Sequence, residues 1–181
     1  MLYVFSTIIV SLIIYIFVTY NNLIKLNNIV KEAFSTMDVY LKKRWDLVPN
    51  IVEVVKGYAK HEKDIFNQVT TLRTNTYQNM LLNKKITINE QLSEEISKII
   101  AISENYPDLK ANQNFLELSR QLTKIEDEIA NSRKYYNGSV RIFNTKIQVF
   151  PNNIIAKLFN FKEANMFEAN RDEKYNIKVD L

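Results

Sequence analysis

Cysteine is absent from this 181-residue chain, which excludes disulfides, thiolate metal sites and cysteine nucleophiles and leaves the redox compartment open. Glycine occurs twice and proline three times. All-β folds and phosphate-binding α/β folds spend glycine on tight turns and close backbone approach, so both are disfavoured. A dominant charge is missing too. The 24 Lys and Arg stand against 20 Asp and Glu, a net +4 with the two signs interspersed. That is the pattern of a solvated surface, and no nucleic-acid partner is expected.

One more absence is local. Residues Leu2 to Thr19 carry no charge, only Leu, Ile, Val, Phe and Tyr with four hydroxyl residues. Eighteen residues of helix rise roughly 27 Å, close to a hydrocarbon thickness of roughly 30 Å. Tyr3 and Tyr20 stand at its ends, where amphipathic rings favour the membrane interface. A buried core helix would show a polar face, and a cleaved signal peptide would show a leading cation and small residues at a cleavage site. The segment has neither, so residues 2–19 are expected to cross a lipid bilayer as an anchor occupying residues 1–20. Lys25 and Lys31 follow it and no cation precedes it. The positive-inside rule then puts the N-terminus outside and the C-terminal domain in the cytoplasm of a cell-membrane protein.

Beyond the anchor, apolar residues recur at helical spacing over a body expected at residues 21–162. Leu23, Leu26, Val30, Ala33, Met37, Leu41 and Val48 form one stripe. Pro49 predicts a kink or tight turn near Asp46 to Asn50. Ile51, Val52, Val55, Ala59, Phe66, Val69 and Leu72 resume the stripe, and Ile51, Tyr58, Ile65 and Leu72 add a second line at seven-residue steps. A shorter helix opens near Thr87 and Asn89, turns Leu92, Ile96, Ile99 and Ile100 inward, and stops before Pro107. The strongest pattern runs from Phe115 through Leu122, Ile129, Tyr136 and Phe143 to Phe150, ended by Pro151. Ile154, Ile155, Leu158 and Phe159 suggest a short cap, and residues 163–181 a polar tail, extended or mobile from Tyr175. The fold class is all-α.

No familiar constellation of catalytic residues is present. His61-Glu62 lacks the second His four residues on that a zinc helix needs, since position 65 is Ile65, and a solvent-facing or capping role is favoured. Gly-x-Ser-x-Gly is absent. Gly57 and Gly138 suggest close helix packing. Neither a cofactor nor a metal is expected. The polar residues beside the apolar stripes are more informative. Glu126 and Arg133 are seven apart, as are Asn137 and Asn144, so each pair shares a helical face. Asp38, Arg44 and Asp46 could meet them from the first helix. These seven form a candidate network that sets helix register or receives a partner. Lys42, Lys43 and Arg44 beside Trp45 could touch anionic lipid or nucleic acid, though a solvated face is the simpler expectation.

The same residues carry a resemblance to the LemA family. It rests on Tyr20-Asn21-Asn22-Leu23, Ala33-Phe34-Ser35, Asp38-Val39, Leu41-Lys42-Lys43-Arg44, Asp46-Leu47-Val48-Pro49-Asn50 and Val55-Lys56-Gly57-Tyr58-Ala59. It continues through Tyr106-Pro107-Asp108-Leu109-Lys110-Ala111, Glu126, Arg133, Tyr136-Asn137, Phe143-Asn144, Phe150-Pro151 and Phe161. The resemblance implies a single-pass bacterial membrane protein with an up-and-down four-helix bundle, and brings no established reaction. One relative takes part in building magnetosome membranes. Two departures stand out: Phe34 where Trp is expected, and Asn160 before Phe161 where Gly is common. The function expected is a membrane-tethered scaffold or interaction module with a protein partner. The competing expectation, an enzyme or a ligand or metal site, predicts that some of Asp38, Glu126, Arg133 and His61 converge on one solvent-reachable pocket.

Overall fold

A computed structural model describes residues 1–72, Tyr77, Met80 and residues 82–167. The described residues are predominantly helical, with no strand among them. The elements are α1 (Leu2–Tyr58), α2 (Lys63–Leu72), α3 (Leu82–Ser103), α4 (Pro107–Lys110), α5 (Gln113–Gln148) and α6 (Asn152–Leu158). Their described residues divide into two compact units, residues 1–37 with 131–167, and residues 38–130. The segment from Tyr175 onward lies outside the described residues.

In the first unit, α1 begins with residues 2–18, all exposed except the half-buried Ile16. Thr19 is the first buried position, and Leu23, Val30, Ala33 and Met37 follow at the predicted spacing. They share the unit with Tyr136, Val140, Phe143 and Ile147 of α5, also buried at steps of three and four. After α5 the chain passes a cis Phe150–Pro151 bond into α6. The expected apolar cap is only partly formed: Ile155 is buried, whereas Ile154, Leu158 and Phe159 face outward.

α6 ends in a Schellman motif. The Phe161 N–H donates to the Ala156 carbonyl at 2.9 Å and the Asn160 N–H to the Lys157 carbonyl at 3.2 Å. Asn160 takes φ 56°, the left-handed region that glycine enters freely and asparagine tolerates best among the rest. This is the physical reason that Asn can stand where Gly is common. At the other departure, the Phe34 ring meets Tyr136 edge-on at 5.8 Å, so an aromatic contact is kept.

In the second unit the helical stripe of α1 continues without a turn at Pro49, which lies inside the helix. An internal proline costs ~3 kcal/mol. Trp45, Val48, Ile51 and Val52 around it are all buried. At ~1.5–3 kcal/mol each, their burial outweighs that penalty. The break comes instead at residues 59–62, where Lys60, His61, Glu62, Lys63 and Asp64 interrupt the stripe. The expected second line fails with it: Ile51 is buried, but Tyr58 is exposed, and Ile65 and Leu72 are only partly covered. α2 packs on α3. α3 begins at Leu82, ahead of the Thr87 start expected, and buries Leu92, Ile96 and Ile99. Phe115, Leu122 and Ile129 complete the core from α5.

Neither glycine marks a close approach. A methyl group added at Gly57 or Gly138 would meet nothing within 4 Å, so helix packing does not explain them.

Candidate functional site

The centre of the second unit is Arg44, whose side chain is wholly buried (0% exposed). It fills the step between Leu41 and Val48 in an otherwise apolar stripe. One terminal nitrogen donates to both Glu126 carboxylate oxygens, at 2.9 and 3.0 Å, and to Ser93 Oγ at 2.6 Å. The other donates to the Asn89 carbonyl at 2.8 Å and to Asn89 Oδ1 at 2.9 Å. Asn89 is buried in turn and donates its amide to the Lys85 carbonyl at 2.9 Å. A guanidinium cannot shed its charge, so taking it out of water requires this many acceptors. Glu126 is 36% exposed and keeps part of its hydration, which lowers the cost of the pair. Three helices, α1, α3 and α5, are thereby fixed in register by one side chain.

Asp38 lies in the same unit but does not join Glu126. Its two oxygens accept from the Tyr77 hydroxyl at 2.7 Å and from Lys85 Nζ at 2.7 Å. Lys85 also sits 4.7 Å above the Tyr77 ring, and Trp45 packs 5.4 Å from it. Burial and then the Asp38 hydrogen bond push the Tyr77 phenol well above the usual tyrosine range. Asp46 is peripheral: it pairs with Lys42 on the exposed side of α1. Lys43 lies 5.2 Å over the Tyr40 ring. The Lys42–Trp45 stretch is therefore not a solvated face throughout, since Arg44 and Trp45 belong to the core.

Arg133, Asn137 and Asn144 belong to the first unit and serve a different purpose. Asn144 donates to the Ala164 carbonyl and accepts from its N–H, both at 2.9 Å. Asn137 does the same with Phe167, again 2.9 Å each way. Tyr136 donates to the Asn165 carbonyl at 2.8 Å, and its phenol is raised by burial. Residues 161–167 thus form a helix-free strap held along α5 by side chains that grip its backbone. Phe167 closes the strap, buried edge-on against Tyr136 at 5.9 Å with the Arg133 guanidinium 5.6 Å over its ring.

The seven candidate residues therefore separate into a charged cluster, a surface pair and a strap clamp. Sequence reasoning missed Tyr77, Lys85, Asn89 and Ser93, whose partners lie 39 to 49 positions away. It also missed the strap. The face shared by Asn137 and Asn144 was the available signal for the strap; for the other four there was none.

His61 is exposed in the turn after α1. A shallow groove between α2 and α3 is lined by Asp64, Gln68, Glu94 and Glu95. Glu95 is engaged by Lys98 at 2.8 Å, and hydrogen bonds to Glu95 and then Glu94 raise that lysine's pKa. Among the described residues, no three His, Asp or Glu side chains gather as a metal site.

The LemA family model matches residues 33–181. Protein LemA of Metamycoplasma hominis is 25% identical over 159 residues, 87% of this chain and 72% of that protein. Magnetosome protein MamQ 2 of Paramagnetospirillum magneticum is 22% identical over 186 residues, covering 88% and 68%. Magnetosome protein MamQ of Magnetospirillum gryphiswaldense is 21% identical over 184 residues, covering 87% and 68%. None of these names carries an enzymatic activity.

Proposed function

From the premise that this chain belongs to the LemA family, we propose that it is a single-pass, membrane-anchored helical scaffold that receives a protein partner and catalyses no reaction. The observation that carries the reading is the outward exposure of residues 2–18 on an unbroken helix. Leu2, Phe5, Ile8, Leu12, Ile14 and Phe17 are each more than half exposed. Left in water, every such side chain forfeits ~1.5–3 kcal/mol, and lipid removes that cost. α1 is the one described helix long and apolar enough to cross a membrane.

The body fits a scaffold better than a reaction centre. Asp38 is occupied by Tyr77 and Lys85, Glu126 by Arg44, and His61 faces water in a turn. No observation favours the alternative in which these residues bind a substrate or metal. Tyr135 and Ile142, exposed seven residues apart on α5, offer a partner an apolar stripe. The cations after the apolar run support an orientation with the up-and-down helical body in the cytoplasm and the N-terminus outside. Names that speak of magnetosomes belong to relatives; for this chain they lend support to a role at membranes.

Fractionation provides the test. The full chain is expected to resist high salt and alkaline washing of membranes and to need detergent for release. Release by salt alone would end the proposal. Because the chain has no cysteine, Tyr3→Cys and Glu53→Cys report orientation through an impermeant maleimide applied to intact cells. Labelling at position 3 alone is expected, and labelling at position 53 alone would reverse the assignment.

A further inference from the structure

α6 and the residues leading into it stand beside the membrane end of α1. The Tyr15 hydroxyl donates to Asn152 Oδ1 at 2.8 Å, so the start of α6 lies level with Tyr15. The Tyr20 ring packs 4.7 Å from Phe159 and 6.0 Å from Phe161, so the end of α6 lies level with Tyr20. Tyr15 is four residues inside the uncharged run that ends at Thr19, which is roughly 6 Å along the helix.

The outer face at this level is apolar. Phe150 is 79% exposed, Ile154 59% and Leu158 70%. Ile154 and Leu158 are four apart on one side of α6, while Asn152, Ile155 and Ala156 are buried on the other. Lys157 and Lys162 are exposed beside this face, long enough to carry their charge outward along an apolar surface.

We infer that α6 and Phe150 are embedded in the interfacial layer of the bilayer, making a second, monotopic contact beside the transmembrane helix, with Lys157 and Lys162 at the lipid phosphates. The inference rests on the anchor reading above. Helix length favours lipid as the occupant. If α6 stood in water, Tyr15 to Tyr20 would stand there too, leaving only Leu2 to Ile14 in lipid. Thirteen residues rise roughly 20 Å, about 10 Å short of the hydrocarbon core. With α6 immersed, the whole run is used. The depth of roughly 6 Å matches that of helices lying in the headgroup–acyl boundary, about 5–10 Å.

The test uses full-length protein in vesicles of phosphatidylethanolamine and phosphatidylglycerol. Nitroxide labels go on Leu158→Cys, Ile154→Cys, Ile9→Cys and Val39→Cys, all at exposed sites. Val39 lies roughly 30 Å beyond Thr19 along α1 and serves as the aqueous reference. Position 9 is expected to be accessible to oxygen and not to a water-soluble nickel complex. Positions 154 and 158 should show the same preference, several-fold above position 39. Should 154 and 158 match position 39 while 9 reads lipid, the α6 inference falls and the anchor stands. Should 9 also read water, both fall. Labels at 154 and 158 shielded from oxygen and nickel alike would indicate a protein neighbour there and overturn the lipid assignment.

Discussion

The two units bury polar groups by opposite means. Residues 38–130 place a full charge at the centre, with Arg44 distributing five hydrogen bonds among Glu126, Asn89 and Ser93. Residues 131–167 use neutral amides, Asn137 and Asn144, to hold the backbone of a segment without secondary structure. The difference follows from what each location lacks. Packed helices satisfy their own N–H and C=O groups, so a side chain buried among them needs partners supplied for it. The strap has unsatisfied backbone groups of its own, and an amide, with one donor and one acceptor face, complements both at once. Charge sets register among helices; amides stand in for a missing helix or strand.

Substitutions can break this comparison, the charged side first. Arg44→Ala removes the cation from five bonds and strands the buried Asn89, so a loss of ~3–5 kcal/mol is expected in chemical denaturation. A loss below 1 kcal/mol would mean that the cluster is decorative. Asn137→Ala removes two bonds and leaves the Phe167 N–H and carbonyl to find water. Here ~2 kcal/mol is expected, with faster amide exchange and proteolysis confined to residues 161–167. Global loosening would show that strap and body unfold together.

Alkaline titration sharpens the contrast in a milder way. Tyr77 keeps its proton in the folded protein above the ordinary tyrosine value of 10.0. Its contribution is fully present below pH 10 and declines as pH rises from there through the raised folded value. Stability should therefore fall above pH 10, and Tyr77→Phe should flatten part of that slope while costing a constant amount below it. The smallest effect is expected at the glycines. Gly57→Ala and Gly138→Ala meet open space, so each should stabilise its helix by up to ~1 kcal/mol. Destabilisation at position 138 would reveal a contact in the assembled state.

The apolar pattern made much of this legible. The stripes on α1 and α5 and the helix stop before Pro107 follow from spacing and backbone sterics. Arg44 and Glu126 were legible only as two of seven polar residues on or beside the stripes, with their pairing left open; the direct bond between them is seen in the structure. Of the kink or tight turn expected at Pro49, the turn does not form, because local backbone preference is outweighed by the buried side chains around it. The partners of Asp38 were invisible, as nothing at positions 77 and 85 signals a contact so distant along the chain. The strap was hidden for a deeper reason: its bonds engage main-chain atoms, which every residue shares.

A clamp that grasps only peptide groups is blind to the side chains passing through it. Substitutions at 164 and 166 leave these bonds in place whereas substitutions at Asn137 and Asn144 remove them, and proline at 164 is the exception to be shunned, because Ala164 must offer an N–H to Asn144.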